Sequence, residues 1–95
     1  MGRSEMTITK GDLETKIGTL LSRISKIPYP NRSHHAPQSF GDEYNQIIDL
    51  AAEYKSSGAY PEKVDVDPPW GGLPGRTWAT YQQLEEYLQE LLMVL

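Results

Sequence analysis

The sequence contains no cysteine. Disulfides and thiolate metal centres are thereby excluded, and the redox compartment is left open. No apolar run approaches the roughly 18 residues needed to cross a bilayer, and no charged segment followed by an apolar stretch opens the sequence in the manner of a secretory leader. A cytoplasmic protein with no membrane contact is expected. A dense basic patch is also lacking. Residues 1–35 hold six Lys/Arg against three Asp/Glu, net +3, and residues 36–95 hold three against ten, net −7. Neutralising a phosphate backbone requires clustered cations, so nucleic acid is not the expected partner. There is no internal repeat, no Ser/His/Asp or Cys/His order, no phosphate-cradling loop, and no histidine beyond His35. No catalytic residues, cofactor or metal are expected.

What the sequence does hold is helical periodicity. Ninety-five residues make one domain, 1–95, which buries only about 60–65% of the surface its unfolded chain exposes. Leu13, Ile17, Leu20, Ile24 and Ile27 are spaced by four, three, four and three, the seam of an amphipathic helix over about 10–27. Thr9 or Asp12 can cap its start, and Pro28 and Pro30 stop it. Phe40, Tyr44, Ile47, Ala51 and Tyr54 repeat the spacing and predict a second helix over about 40–57. Ser39 and Asp42 form its approximate capping box, with Gly58 in the left-handed position past its end. Tyr81, Leu84, Leu88, Leu91 and Leu95 make a third seam over about 78–95, with Trp78 one turn earlier. Thr80 and Gln83 form a capping pair, and Thr77 is a competing cap. Three matched seams predict an all-α fold, a three-helix bundle with two long Pro/Gly-rich connecting loops. Connections of about 12 and 18 residues exceed the usual bundle loop and are expected to be packed or functional.

The second connection carries "VDVDPPWGGLPG". Asp67-Pro68-Pro69-Trp70 resembles the catalytic tetrapeptide of the amino-methyltransferases that act on adenine N6. In that resemblance Asp67 and the Pro68 carbonyl hold the target amino group while Trp70 stacks on the flipped base. Such enzymes also use a doubly wound parallel sheet and a glycine-rich turn for their cofactor, and only one strand-like run, Val64 to Val66, precedes the motif. The local reading is a stiff loop: the prolines fix φ, and "GGLPG" permits sharp turns. Two uses of Trp70 remain open at this point. It can fold back over the open end of the bundle and add to a small core, or it can be presented outward, with Leu73, as a contact hot spot.

His34 and His35, in "HHAP", resemble one dipeptide of the HNH-type nucleases, where one histidine binds metal and its neighbour activates water. Further ligands are needed downstream; Asp42 and Glu43 are the nearest acids. Asp65 and Asp67 can share one side of an extended strand, where a solvated edge is the ordinary outcome. At the other end of the sequence Leu91, Leu92, Met93, Val94 and Leu95 are five consecutive apolar residues. A helix apolar on every side must be covered on every side. A homodimer through the third helix, a different protein, or the long loops of the same chain can supply that cover.

The expected function is a small non-enzymatic protein-binding module, comparable to inhibitors, adaptors, and immunity or antitoxin-like regulators. Its contact residues are Trp70 and Leu73 in the loop, Tyr60 and Trp78 as flanking aromatics, and Leu92 and Val94 at the tip of the third helix. The alternatives are a nucleic-acid-associated regulator acting through Arg23, Lys26 and Arg32, and a small metal-dependent nuclease at His34 and His35.

Overall fold

The computed structural model of the chain describes residues 8–55 and 58–95. In order, the elements are α1 (Lys10–Ser25), a short 3-10 turn (Tyr29–Asn31), β1 (His35–Pro37), α2 (Gln38–Tyr54), β2 (Val66–Asp67), β3 (Arg76–Thr80) and α3 (Tyr81–Val94). The three helices are present, but the fold is not an all-α bundle. Parts of both connecting loops pair with a strand that precedes α3, giving a three-stranded antiparallel sheet of order β1-β3-β2. The molecule is a mixed α/β protein.

Most of the helical seam positions bury as their spacing predicts, with Tyr81 and Leu95 only half-buried. Leu13, Ile17, Leu20 and Ile24 of α1, Phe40, Tyr44, Ile47 and Ala51 of α2, and Leu84, Leu88 and Leu91 of α3 form one core with Ala36 and Ala79 from the sheet. Truncating such a residue to alanine costs on the order of 2–5 kcal/mol. Ile27 is half-buried and Tyr54 exposed. Thr9 caps α1 with a reciprocal bond from Asp12, and Thr80 caps α3 with Gln83 in the same way. Arg23 in the last turn of α1 pairs with Glu43 in the first turns of α2. Arg32, just beyond α1, lies 4.0 Å from Glu85 of α3. Helix α1 is therefore antiparallel to both others. The N-termini of α2 and α3 lie at the sheet, where Phe40 and Tyr81 meet edge to face with centroids 5.3 Å apart.

Other boundaries differ from expectation. Helix α2 begins at Gln38, without a side-chain cap at Pro37. Its first N–H is satisfied across space by the Gly75 carbonyl, at 3.3 Å, so Ser39 is not needed as a cap. It ends at Tyr54 with Lys55 as C-cap, so Gly58 is not its left-handed terminator, and residues 56–57 lie outside the described residues. The third helix starts at Tyr81 and not at 78. Thr77 and Trp78 belong to β3, whose period-2 burial sends Thr77 and Ala79 inward and Arg76 and Trp78 outward. Thr77 is a strand residue with no solvent exposure, and its hydroxyl donates to the Pro37 carbonyl at 2.8 Å.

The connection before β2 is laid along α2. Asn45 grips Val64 twice, donating Nδ2–H to its carbonyl and accepting its N–H, each at 2.9 Å. The Tyr44 hydroxyl donates to the Glu62 carbonyl at 2.8 Å. Burial, with Tyr87 and Glu90 nearby, pushes the Tyr44 phenol well above its ordinary range.

Two tests follow from this packing. Gly41 lies where α2 crosses the sheet, and a Cβ there would collide with the Thr77 side chain and fall 2.7 Å from Val66 Cγ2. Gly18, in α1, has nothing within 4 Å of the same position. Gly18→Ala is expected to stabilise by about 0.5–1 kcal/mol through helix propensity, and Gly41→Ala to destabilise by about 1–3 kcal/mol through overpacking, both read by urea unfolding. Because folding raises the Tyr44 pKa, its contribution is intact below the unfolded value near 10 and is lost as pH rises past it. Alkaline unfolding curves are expected to fall more steeply with pH for the native chain than for Tyr44→Phe.

Candidate functional site

The β2–β3 hairpin projects from the edge of the sheet, and its shape follows from its prolines and glycines. Val66 pairs with Thr77 and Asp67 with Arg76. Pro68, Pro69 and Pro74 have no N–H to give, so regular pairing stops above this base. It closes once more at the tip, where Trp70 and Leu73 exchange both backbone bonds at 3.1 and 2.9 Å. Between them Gly71 and Gly72 have φ of 58° and 83°, the two positive values that a two-residue type I′ turn demands. Gly75 is required for another reason: a Cβ there would lie 2.8 Å from the Asp67 carbonyl oxygen. "DPPWGGLPG" is thus an ordered hairpin. The fold holding the Asp-Pro-Pro-Trp tetrapeptide is antiparallel, unlike the parallel sheet its resemblance implies.

At the tip the side chains face water. Trp70 is 80% exposed and Leu73 66%; Trp70 does not fold back over the helices. Together with Asp67, Pro68, Pro74 and Arg76 they line an open groove of about 630 Å³. Asp67 and Arg76 link it to the outer face of the sheet, where both contact Trp78. There Trp78, 48% exposed, is held on three sides. Its Nε1–H donates to Asp67 Oδ2 at 2.8 Å, the Arg76 guanidinium lies over its ring at 4.1 Å, and the His35 imidazole meets it in a T-shaped contact with centroids 5.6 Å apart. Arg76 Nε is also 3.9 Å from Asp67 Oδ2, both side chains about half-exposed. His35 Nδ1 lies 3.0 Å from the Thr77 carbonyl. A carbonyl only accepts, so Nδ1 carries the proton of this bond.

The structure brings Trp70, Leu73 and Trp78 to one face and sets the other expected contact residues apart. Tyr60 is half-buried, packed on the core, and donates its hydroxyl to the Lys55 carbonyl. Leu92 is 37% exposed, and Val94 and Leu95 pack against the core. Met93, at 86%, is the more exposed part of that tip. Since α3 runs away from the sheet, this tip and the hairpin lie at opposite ends of the molecule.

The cations of the nucleic-acid alternative are largely engaged. Arg23 pairs with Glu43 and lies 4.5 Å over the Phe40 ring. Arg32 donates to the Ile27 and Ser25 carbonyls at 3.2 and 3.1 Å, closing the C-terminus of α1. Lys26 is exposed. His34 is an exposed loop residue, His35 faces Trp78, and no cluster of three or more metal-ligating side chains occurs among the described residues. No described helix is long and apolar enough to cross a membrane.

The grouping of Asp67, Arg76 and His35 around Trp78 was not anticipated. Its sequence signal is "RTWAT", in which Arg76 and Trp78 alternate with Thr77 and Ala79 as on a strand. Comparison with known proteins finds no matching family model, no similar curated sequence and no matching solved structure.

Asp67 locks the base of the hairpin, and its removal has a local signature. The chain has two tryptophans and hence two indole N–H signals. Asp67→Ala is expected to shift the Trp78 signal in a proton–nitrogen correlation spectrum and leave that of Trp70 nearly unmoved. The accompanying stability loss should be about 1 kcal/mol, since the bond is exposed.

Proposed function

We propose that the chain is a small non-enzymatic protein-binding module of the cytoplasm, and that its contact surface is the outer face of the β2–β3 hairpin. The observation that carries this is Trp70, 80% exposed on a turn closed by two backbone bonds. Leaving such a side chain in water forgoes about 2–3 kcal/mol of burial. The fold nevertheless invests a glycine pair in holding it outward. Tryptophan on a preordered backbone loses little conformational freedom on binding, which is what makes it a recurrent interface anchor.

The surroundings fit the same role. Leu73, Pro68 and Pro74 extend the apolar area, and Arg76 and Asp67 form a polar rim. An apolar centre with a charged border is the usual anatomy of a protein contact. The edges of the sheet favour face-on docking over strand addition. Pro37 lies in edge strand β1, and Pro68 and Pro69 follow edge strand β2, and proline cannot donate to an added strand. The exposed Leu92 and Met93 at the far end are a smaller, secondary apolar surface, since Val94 and Leu95 are drawn onto the core.

A photoreactive benzophenone side chain at position 73 tests this directly in native lysate, with the same probe at position 29 as control, because Tyr29 is 82% exposed and remote in sequence from the hairpin. Adducts of defined mass are expected from position 73, absent from position 29 and reduced at least tenfold by Trp70→Ala. Equal labelling from both positions, or none from 73, overturns the reading.

A further inference from the structure

The hairpin face has the properties of a surface made to meet itself, and we infer that its occupant is a second copy of this chain, docked about a two-fold axis. This rests on the reading of the hairpin as a binding face and adds the identity of the partner. A closed two-fold contact requires a patch that is its own complement, with residue i meeting j while j meets i. The face supplies a projection and a recess side by side. Trp70 stands out at 80% exposure, and one side of it walls the open groove of about 630 Å³ that Asp67, Pro68, Leu73, Pro74 and Arg76 complete. That volume is in the range of sites that admit a group the size of an indole. Each copy can seat its Trp70 in the groove of the other.

The charges satisfy the same symmetry. One carboxylate and one guanidinium, Asp67 and Arg76, sit together on the face, 3.9 Å apart and each half-exposed. A two-fold rotation sets the Arg76 of one copy against the Asp67 of the next, and the reverse. Asp67 uses Oδ2 for Trp78 and has a second carboxylate oxygen to offer. Single-sign patches repel under such an operation, whereas this pair attracts.

The area is adequate. Two partly exposed tryptophans, Leu73 and the neighbouring prolines present on the order of 500 Å² of apolar surface per copy, and a two-copy contact then reaches the roughly 1,000 Å² that a specific interface needs. Such a dimer sits at the weak end and is concentration-dependent. The tip of α3 does not combine these features: Leu92, at 37% exposure, and Met93, at 86%, line none of the described grooves.

The absence of cysteine makes the test clean, because a single introduced thiol reports on one contact. Leu73→Cys carrying a thiol-linked benzophenone is expected to photo-crosslink to a second copy at micromolar protein concentration, while Met93→Cys labelled in the same way, at the opposite end, stays monomeric. Sedimentation of the unmodified chain is expected to show a monomer–dimer equilibrium whose dissociation constant rises on the order of 30-fold in Trp70→Ala. Arg76→Glu and Asp67→Arg are each expected to be monomeric alone and to form a mixed dimer when combined, an outcome that a merely structural role for the pair does not produce. If Asp67→Arg fails to fold by circular dichroism, Trp70→Ala decides, since its side chain lies in solvent. A native chain monomeric to high micromolar concentration, dimerisation indifferent to Trp70→Ala, or cross-linking favoured at position 93 each overturns the inference. If the chain is monomeric but the probe at position 73 still captures a different protein, self-association falls while the hairpin stands as a binding face; if neither occurs, both fall.

Discussion

Thr77 is where the two halves of the fold are joined, and its contacts set the position of nearly everything described above. Its side chain has no exposure, and its hydroxyl donates to the Pro37 carbonyl across the sheet. Its own carbonyl receives the His35 imidazole, and Val66 is its pairing partner in β2. Three strands that come from three parts of the sequence are thus held by one residue. The space it fills exists because Gly41 allows α2 to come within touching distance of the sheet. A buried hydroxyl without a partner costs about 1–3 kcal/mol, so this junction is stable only when all its members are in place. Once β3 is fixed in this way, alternation leaves Arg76 and Trp78 on the outer face, and the hairpin above them is aimed away from the core.

The helical part of this architecture was legible in the sequence because its signals are local and redundant. Leu13, Ile17, Leu20 and Ile24 repeat one period over three turns, and Thr9 with Asp12 marks where it starts. Tyr81 to Leu91 does the same behind Thr80 and Gln83. The sheet was not legible, for reasons visible in the same residues. Its strands run from two to five residues, too short for a period of two to outweigh noise. Trp78 stands three positions before Tyr81, so it matched the helical seam as well as it matched the strand. Strand β1 contains a proline, which ordinarily argues against a strand. The pairing of His35 with Thr80 spans more than forty residues, a distance at which no pattern in the sequence reports contact.

The candidate site was half legible. Composition singled out Trp70 and Leu73, and "WGGL" carried the signature of a two-residue hairpin, but the prolines on both sides masked the flanking strands. What the sequence did not disclose is that Asp67, Arg76 and His35 converge on Trp78, since these residues come from three strands. Tyr60 shows the reverse case. It had the composition of a contact residue, yet its ring packs beside Gly58 and its hydroxyl is taken by the backbone. The connection that carries it is bound to α2 through Tyr44 and Asn45. In a chain of this length such a segment extends the hydrophobic shell that three short helices cannot complete alone.

The strand order β1-β3-β2 also orders events in time. The hairpin of β2 and β3 closes a short loop and can form in microseconds on local contacts. The pairing of β1 with β3 must wait for a much longer closure, whose entropic cost comes before any reward. Helix α2 lies between those two strands in sequence and carries Gly41 at the crossing, so its docking and the arrival of β1 are one event. The surface offered by Trp70 therefore exists early, before the strand that anchors its base on the other side has arrived. During refolding an exposed indole on a hairpin that closes ahead of the core makes encounters between incomplete copies a hazard, one that rapid collapse of the three helices must outrun.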